Sequence, residues 1–530
     1  MILNKVFIPC AGIGSRLNNL TNSKNKALIA INNKPIISHI IENFSNNVIF
    51  VIALGHKGNL LKNYLKSAYK DRNFIFVKIK NYSGPKSSLG YTMNNCSKFL
   101  NEPFVFCSCD TLFKKKIKFI KNDWIGYDLL NDRDNLYRKV IIKNKRLLIK
   151  EKNFKSKKCY IGLAGIYNHK RFWYAFRNNK EKSLKTGEVE AINCSKLKFI
   201  TKKFRWWDTG NLNSFNKAKN KFEKNKFNIL EKENESIWFV NRKVVKFNND
   251  NNFIEKRFLR SKKLSGYVPK INFCKNNIYA YDFVDGDTFS KIVNLNYFEK
   301  LLFFSKEFWK KKYLNNKEKE KFYNNCKEFY KSKTISRVRS FLKKNKLKDK
   351  YEIINDTKVK PAFELLKRIN WENISNGIPV RFHGDYHFEN IVYDRKKFIF
   401  LDWRQDFNGI LDYGDIYYDL AKLLHGVIVS HQNVVDNKFS IYKTKTKTFI
   451  SIKKIKNYKK IFKKYLSWLY ENNYDLNKVH LVTALIYLNI AVLHHHPYDK
   501  FLFSLGKLYL NNILNGDYND DRNHKIFFFK

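Results

Sequence analysis

From Lys5 to about Phe222 the chain alternates short apolar runs with longer amphipathic segments, such as residues 35–44 and 59–69. The apolar runs are rich in Val, Ile and Phe, and each has the length of a buried strand: residues 6–9, 48–54, 74–79 and 104–109. This alternation predicts βα units that build a mostly parallel sheet, and hence an α/β Rossmann-like domain.

The pattern changes after a highly charged stretch with few large apolar residues, 213–235. Because this stretch lacks Pro and Gly, it predicts a helix that ends in a short connector. Beyond it come a β-rich patch, 237–284, and helix-period segments from about 292 to 369; a hairpin after His383 is followed by helices through Leu514. This order indicates an α+β fold, and we expect domains at 1–225 and 232–530.

Length and composition agree with this division. A chain of 530 residues suggests two or three domains, and 44% hydrophobic with 16% aromatic residues is typical of a globular protein. The net charge of +56 would ordinarily suggest nucleic acid, an anionic membrane or an anionic substrate. However, Lys and Asn are scattered through every segment, including the predicted strands, which argues against a nucleic-acid partner.

The cysteines and the apolar runs exclude several other classes. The eight cysteines are irregularly spaced, so no zinc or disulfide framework is implied. The apolar run near the N-terminus has four residues, fewer than the roughly 7 to 15 of a signal peptide. The longest apolar stretch, 481–493, is interrupted and falls below the roughly 18 residues of a membrane span. We therefore expect a cytoplasmic protein without a membrane span.

The segment HGDYHFENIVYDRKKFIFLDW, 383–403, concentrates charged residues beside two short apolar runs, 391–393 and 398–401. The four residues between the runs predict a hairpin, which would bring Asp402 back beside Asn390, while Asp385 lies five residues before Asn390. Burying these groups without partners would cost several kcal/mol. Hard oxygen ligands of this kind suit Mg²⁺ carrying a nucleotide phosphate, which indicates phosphoryl transfer.

The order His-x-Asp-x4-Asn, followed by an Asp at a strand end, resembles the catalytic loop of the aminoglycoside phosphotransferase and choline kinase family, a protein-kinase-like fold. The resemblance extends over roughly residues 232–530. It implies that Asp385 accepts the proton of the substrate hydroxyl and that His383 supports the loop. It also implies that Asn390 and Asp402 hold Mg²⁺.

The same resemblance assigns the nucleotide side of this site. Lys246 stands where a strand lysine would reach the ATP phosphates, and Glu255 stands where its helix partner would be. Two features depart from the family pattern: no glycine-rich loop precedes Lys246, and Arg404 stands where choline kinases usually carry an acidic residue. Arg404 disfavours a quaternary ammonium substrate, although nearby aromatic side chains could supply ring faces.

In the first half, the strand at 6–10 turns on Gly12 and Gly14 into a loop whose N–H groups could cradle phosphates, with Arg16 adding charge. The run 11–37 resembles the opening of the sugar-phosphate nucleotidyltransferases, AGxGxRLxPLTxxxPKxLxxVxxKPxI. Lys26 matches the lysine of that family's Pro-Lys pair, and Asn25 replaces its proline.

Further landmarks of this family follow in the same order. SGPKSSLGYTM, 83–93, resembles the segment that reads the nucleobase, near Ser88 and Gly90. Asp110 ends a strand where the family keeps a metal ligand, and RWWDTGN, 205–211, makes Asp208 the second ligand. Two carboxylates around one Mg²⁺ suit attack of a phosphate monoester on the α-phosphorus of a nucleotide. Arg16 and Lys26 would stabilise the departing pyrophosphate.

Together the two resemblances predict a bifunctional enzyme. The second half would phosphorylate a small alcohol, a sugar or polyol, with ATP and Mg²⁺. The first half would couple the resulting phosphate to CTP, UTP or GTP and release pyrophosphate, yielding an activated precursor for surface glycan synthesis. The alternatives are a choline kinase joined to a CTP:phosphocholine cytidylyltransferase, and a chain in which one domain is inactive and regulatory or binds a partner. The nucleobase, the alcohol and the oligomeric state stay open.

Overall fold

The computed structural model describes residues 5–117, 121–129, 136–143, 146–222 and 234–516. The chain forms two compact units. The first comprises Met1–Ile254 and Asn272–Phe283, and the second comprises Glu255–Ile271 and Val284–Lys530. The domain boundary expected between 225 and 232 lies outside the described residues and stays a prediction.

The first unit contains seven helices among its described residues: α1 Ile36–Ile41, α2 Gly58–Ala68, α3 Leu89–Cys96, α4 His169–Asn178, α5 Lys180–Thr186, α6 Glu188–Cys194 and α7 Leu212–Lys221. Its strands up to residue 208 are β1 Lys5–Cys10, β2 Ala30–Ile31, β3 Lys34–Pro35, β4 Ile49–Leu54, β5 Asn73–Lys78, β6 Phe104–Cys107, β7 Thr111–Phe113, β8 Trp124–Leu129, β9 Lys139–Lys143, β10 Arg146–Lys150, β11 Lys158–Ile166, β12 Ile200–Lys203 and β13 Trp206–Asp208. All the predicted strands and both predicted helical segments are present.

The main sheet is mixed and not mostly parallel. Strands β5, β4, β1 and β6 run parallel in that order, as predicted. Beyond β6 the chain adds β11 antiparallel, and β11 in turn pairs antiparallel with β8 and β9. Helices cover both faces of the parallel part: Val6 and Ile8 of β1 enter one hydrophobic core, and Phe7 enters the other. Burial on both faces explains why these strands are apolar throughout.

A second sheet in the first unit consists of β14 Glu235–Val240, β15 Lys243–Asn248, β16 Ile271–Lys275 and β17 Ile278–Asp282. Its strand order is β14-β15-β17-β16. Trp238, Val245 and Phe247 share a core with Tyr64 of α2, whose ring centroid lies 5.0 Å from that of Trp238. The sequence predicts these strands as part of the second domain, whereas their apolar face packs in the core of the first unit.

The second unit is mainly helical. Its helices are α8 Asn251–Lys263, which begins in the first unit, α9 Phe289–Ile292, α10 Leu295–Phe308, α11 Asn316–Lys327, α12 Lys333–Lys344, α13 Ala362–Lys367, α14 Trp371–Ser375, α15 Ile416–Ile428, α16 His431–Val435, α17 Tyr458–Glu471, α18 Leu476–Ala491 and α19 Tyr498–Leu514. Its strands are β18 Asp287–Thr288, β19 Glu352–Ile354, β20 Thr357–Val359, β21 Pro379–Val380, β22 Ile391–Tyr393, β23 Phe398–Phe400, β24 Gly414–Asp415, β25 Phe439–Lys443 and β26 Lys447–Ile452.

The sheet with strand order β20-β19-β26-β25 was not predicted from the sequence. The sequence predicted helical segments from about 292 to 369 and helices alone after the hairpin, and this sheet corrects both predictions. The hairpin of β19 and β20 turns at Asn355 and Asp356, which both have left-handed φ, 46° and 66°. An Asn-Asp pair between two β-branched runs is a recognised hairpin signal that the helix prediction overlooked. Along β26 every second residue is buried, namely Thr448, Ile450 and Ile452, as expected for a strand with one face on the core.

The apolar stretch 481–493 lies largely in α18, where Val479, Val482 and Leu485 belong to the core of the second unit. Across the described ranges, no helix combines the length and the apolar character that crossing a bilayer requires.

We expect Gly165→Ala to destabilise the first unit. Gly165 in β11 pairs with Trp124, and a Cβ at this position would lie 2.0 Å from Nε1 of that buried ring. Overpacking of this kind costs about 1–3 kcal/mol, and each kcal/mol lowers the unfolding midpoint by about 2–4 °C in units of this size. Differential scanning fluorimetry measures the shift.

The matched control is Gly12→Ala, because a Cβ on Gly12 would have no atom within 4 Å. Its midpoint should stay within about 1 °C of the wild type, in keeping with the small effect of surface substitutions. Equal midpoints for the two variants would contradict the packing of Gly165 against Trp124.

Candidate functional site

Strands β7 and β13 bring the two predicted metal ligands of the first unit together. Their antiparallel register places Asp208 opposite Thr111, next to Asp110. The backbone N–H and the hydroxyl of Thr209 donate to the Asp110 carbonyl at 3.0 and 2.8 Å. Two carboxylates that are far apart in the sequence therefore stand at one point of the fold.

The predicted basic residues lie at the same point. Lys26 Nζ is 3.2 Å from Asp110 Oδ2. A Cβ on Gly210 would lie 3.1 Å from Asp110 Oδ2, 3.1 Å from Asp208 Oδ1 and 3.4 Å from Arg16 Nη2. The missing side chain of Gly210 thus leaves a cradle lined by both carboxylates and by Arg16.

The pKa values of Asp110 and Asp208 are shifted in opposite directions. Burial alone would raise the pKa of Asp110, but Lys26 and the hydrogen bond from Ser108 hold it below its ordinary value. Burial and the charge of Asp110 both raise the pKa of Asp208. A divalent cation between the two would relieve this repulsion, so the donor set fits Mg²⁺.

Asp110 and Asp208 are the two carboxylates that line the cradle for such an ion. Among the residues that the structure describes, no three His, Cys, Asp or Glu side chains cluster in a way that could hold a metal. Nucleotide phosphates and water are therefore the expected source of the remaining ligands, as is usual for Mg²⁺.

Asn25, which replaces the family proline, holds Lys26 in place. Its buried side chain donates to the carbonyls of Cys10 and His56 at 2.9 and 2.7 Å and accepts the N–H of Ala27 at 2.9 Å. It thereby caps the 3₁₀ turn that begins with Lys26. Asn is a favoured cap residue, so this role was readable from the sequence.

In the glycine loop after β1, the backbone at Gly12 is exposed, and the conformation at Gly14 requires a glycine. Gly12 is exposed. Gly14 has a left-handed φ of 74°, and a Cβ there would lie 3.0 Å from Thr21 and 3.1 Å from Lys26. The backbone of this loop is accessible to a ligand, which supports the phosphate-binding role that remains a prediction.

The predicted nucleobase segment is held by α5. The Ser88 hydroxyl accepts the N–H of Tyr91, which caps α3, and donates to the carbonyl of Leu184. A Cβ on Gly90 would lie 1.9 Å from the carbonyl oxygen of Ser183. Packing of α3 against α5 therefore requires a glycine at position 90. The role of Ser88 and Gly90 in recognising the nucleobase stays a prediction.

Glu188 is a buried acid at the start of α6. Its Oε1 accepts the hydroxyl hydrogen of Tyr160 at 3.1 Å, and the residue is 2% exposed. Burial raises its pKa to about 7 from 4.5 in spite of the charge of Arg138. Near neutral pH, Glu188 can therefore take either protonation state.

We expect Glu188 to make the first unit less stable as the pH rises. A carboxyl whose pKa is raised on folding contributes fully below its unfolded pKa, and that contribution is lost as the pH rises from 4.5 through about 7. The difference corresponds to up to ~3 kcal/mol at 1.36 kcal/mol per pKa unit. Glu188→Gln keeps the acceptor for Tyr160 and removes the charge.

The measurement is urea unfolding of both proteins at pH 4.5 and pH 8. Glu188→Gln should gain stability relative to the wild type at the higher pH only. A constant difference between the two proteins at both pH values would refute the assignment.

In the second unit the predicted hairpin is confirmed, with β22 paired antiparallel to β23. The N–H of Leu401 donates to the carbonyl of Asn390 at 2.7 Å, so Asp402 follows directly beside Asn390. The Asn390 amide donates to the backbone carbonyl and to Oδ2 of Asp385 at 2.9 and 3.1 Å. Asp385, Asn390 and Asp402 therefore converge, as the hairpin predicts.

Two cations in this site were not found from the sequence. Lys422 of α15 places Nζ 2.8 Å from Asp385 Oδ1, and Arg257 of α8 donates to Asp402 Oδ1 at 3.0 Å. Burial alone would raise the pKa of Asp385, but Lys422 and His387 hold it well below its ordinary value. The only sequence signal for Lys422 is its place on the apolar face of a helix, where a lysine requires a partner.

His383 supports the catalytic loop as a neutral ring. Burial lowers its pKa to about 3. Its Nδ1 accepts the N–H of Asp385 at 3.2 Å, so Nε2 carries the hydrogen and donates to the carbonyl of Leu401 at 2.8 Å. The ring thus ties the loop before Asp385 to the end of the hairpin.

The carboxylate of Asp419 binds the backbone of the same loop. Its Oδ2 and Oδ1 accept the N–H groups of His383 and Gly384, each at 2.6 Å, and Trp309 Nε1 donates to Oδ2 at 3.0 Å. Burial raises its pKa to about 6 although these donors act against the shift. The sequence prediction missed this role.

Arg260 of α8 completes the support. Its buried guanidinium donates to the carbonyls of Phe382, Arg404 and Leu411. It thereby links the catalytic loop to the segment that follows Asp402. Removal would leave three carbonyls with fewer donors, each costing about 1–3 kcal/mol if left unsatisfied.

The predicted pair of Lys246 and Glu255 falls in different compact units. Lys246 lies in β15, 6% exposed, in the first unit, and Glu255 lies on α8 at the start of the second. Their nucleotide-binding roles stay predictions.

The second half matches a known family. Residues 344–444 match the model of the phosphotransferase enzyme family, and this range contains Asp385, Asn390, Asp402 and Lys422. The N-terminal region matches sugar-phosphate nucleotidyltransferases. Both halves of the chain therefore match families of transferases.

Among curated proteins, the chain is 31% identical over 118 residues to the bifunctional protein GlmU of Methanococcus maripaludis strain S2, covering 22% of this chain and 27% of that protein. It is 28% identical over 173 residues to the D-glycero-alpha-D-manno-heptose 1-phosphate guanylyltransferase of Campylobacter jejuni, covering 31% of this chain and 74% of that protein. A solved CTP:phosphocholine cytidylyltransferase from Streptococcus pneumoniae aligns with TM-score 0.33 and 16% identity over 41% of this chain and 99% of its own.

Proposed function

We propose that the chain is a bifunctional enzyme that phosphorylates a small alcohol with ATP and then transfers a nucleotidyl group from a second NTP to the new phosphate. The observation that carries this proposal is the presence of two separate carboxylate sites, one around Asp110 and one around Asp385. Each carboxylate has a lysine within 3.2 Å, and each lies in a region that matches a transferase family.

In the first reaction the hydroxyl oxygen of the alcohol attacks the γ-phosphorus of ATP, and the bond from that phosphorus to ADP breaks. Asp385 accepts the hydroxyl proton, as its ionised state allows. Asn390 and Asp402 would hold Mg²⁺, which neutralises phosphate charge when bound. The family resemblance would give Lys246 and Glu255 a role in binding the nucleotide.

In the second reaction an oxygen of the new phosphate monoester attacks the α-phosphorus of CTP, UTP or GTP, and pyrophosphate leaves. Asp110 and Asp208 would hold the Mg²⁺ that this reaction uses. Arg16 and Lys26, which lie beside Asp110, would stabilise the charge on the pyrophosphate. Gly12, Gly14, Ser88 and Gly90 would position the nucleotide.

The product of the first reaction is thus a substrate of the second, and the final product is a nucleotide-activated sugar or polyol. The matched guanylyltransferase is named for a sugar phosphate, which supports a sugar acceptor. We place the product in surface glycan synthesis and the enzyme in the cytoplasm, where nucleoside triphosphates are available. Arg404, whose backbone N–H donates to the carbonyl of His383 at 2.9 Å, adds a positive charge beside the loop that carries Asp385, which disfavours the choline alternative.

Substitution of one carboxylate in each site should separate the two reactions. Asp110→Asn should abolish pyrophosphate release and leave ADP formation intact, and Asp385→Asn should do the reverse when the phosphorylated alcohol is supplied. A loss of about 10²-fold or more is expected for each. Coupled enzyme assays of ADP and of pyrophosphate measure both steps.

A variant that leaves both activities unchanged would assign its domain to a regulatory or binding role. Loss of both activities in one variant, with its unfolding midpoint preserved, would contradict independent sites.

Lys422→Met should shift the pH dependence of the kinase reaction. Without the ammonium, burial raises the pKa of Asp385, so the acid limb of kcat/KM should move to higher pH. At pH 6 we expect a loss of about tenfold or more.

Lys454→Met is the matched control, because Lys454 donates to the carbonyl of Ile428 at the far end of α15 and lies over the ring of Tyr458, and it forms no ion pair with Asp385. Its pH profile should match the wild type. An acid limb that stays in place in Lys422→Met would show that Lys422 does not set the pKa of Asp385.

A further inference from the structure

Four cations lie around the catalytic loop of the second unit: Lys333, Arg337, Arg404 and Lys422, here called the cationic cluster. Two of them lie over one aromatic ring. Lys333 Nζ is 4.0 Å and Arg404 Cζ is 4.9 Å from the centroid of Phe329. The same ammonium lies 5.7 Å from the centroid of Tyr418. These side chains are therefore held by packing and are not a loose solvated face.

The backbone fixes the cluster beside Asp385. A π-helical turn, Glu328–Ser332, interrupts the helix before α12, and such turns are frequent at functional sites. Lys333 and Arg337 follow on one face of α12, four residues apart. Arg404 packs on the catalytic loop, because a Cβ on Gly384 would lie 2.5 Å from its Cβ.

Three of these charges lack a compensating carboxylate. Among the residues that the structure describes, Lys422 is the member of the cluster that forms an ion pair, and that pair is with Asp385. Over the same residues, Lys333, Arg337 and Arg404 have no carboxylate oxygen within 4.0 Å, and Arg404 Nε donates to the backbone carbonyl of Asp406 at 3.0 Å. Burial, followed by Arg404, Arg337 and Lys422, lowers the pKa of Lys333 well below its ordinary value. Holding like charges together in this way is unfavourable unless a ligand supplies the anion.

We propose that the alcohol phosphorylated in the second unit carries an anionic group of its own, a carboxylate or a phosphate, which Lys333, Arg337 and Arg404 bind while the hydroxyl faces Asp385. This inference rests on the proposed kinase function. Guanidinium groups bind both kinds of oxyanion with paired hydrogen bonds, and Lys333 adds a point charge. The substrate class is then acidic sugars or polyols, in place of neutral or cationic alcohols.

The test is ADP formation by the full chain with ATP and Mg²⁺ against matched sets of alcohols. One set is glycerol, glycerate and glycerol 3-phosphate, and another is glucose, glucuronate and glucose 6-phosphate, with choline as the cation. An anionic member should exceed its neutral counterpart by at least tenfold in kcat/KM. Comparison of the carboxylate with the phosphate in each set distinguishes the two sources of charge.

Two variants and one control locate the effect. Lys333→Met and Arg337→Gln should raise KM for the anionic alcohol at least tenfold and leave KM for ATP within twofold. Arg339→Gln, an exposed residue on the same helix, should behave as the wild type. A rise in KM for ATP in the two variants would assign the cluster to the nucleotide and overturn the proposal.

The outcomes also separate this inference from the proposed function. Turnover that depends on Asp385 but prefers neutral alcohols or choline would overturn the anionic substrate and leave the kinase standing. If every anion were inactive as acceptor, with no anion raising the unfolding midpoint of the ATP-bound chain, the inference would fail. If ATP itself gave no ADP with any alcohol and no midpoint shift, the kinase function would fail with it.

Discussion

Asp419 lies fully buried beneath the loop that carries Asp385, where its carboxylate accepts two backbone N–H groups and one indole N–H. Arg260 acts on the other side of the same loop through three backbone carbonyls. Buried peptide groups need partners, and an irregular loop cannot supply them from its own backbone. The position of Asp385 therefore depends on two buried charges that hold the backbone of its loop.

In the first unit, strand pairing and the side-chain amide of Asn25 fix the positions of the charged site residues. The pairing of β7 with β13 fixes Asp208 beside Asp110, and Asn25 fixes the turn that presents Lys26. In both units a lysine lies against a carboxylate of the site, Lys26 against Asp110 and Lys422 against Asp385. A lysine in this position keeps the acid ionised while it is partly removed from water, and a bound cation or substrate can then replace part of that interaction.

The sequence predicts contacts between residues that are close along the chain. It does not predict the distant residues that hold the site in place. The hairpin that joins Asn390 to Asp402 follows from a four-residue turn, so its convergence was predictable. Asp110 and Asp208 lie close together because β7 pairs with β13. These strands are far apart in the sequence, so only the family resemblance predicted that the two carboxylates share a site. Lys422, Asp419 and Arg260 were missed because their roles depend on which helix face turns toward the loop. The sheet of β19 and β26 was missed because its short strands lie between helical segments and the turn that joins β19 to β20 consists of only two residues, Asn355 and Asp356.

The sheet of β14 to β17 has a consequence for how such a fused gene can evolve. Trp238, Val245 and Phe247 fill the core that Tyr64 and α2 line, on the far side of the charged stretch that precedes Glu235. A gene divided at that stretch would encode one protein with an uncovered face on α2 and another with an uncovered sheet. Exposed apolar faces promote aggregation. Selection for soluble products would therefore oppose separation, and the two catalytic halves would be inherited together.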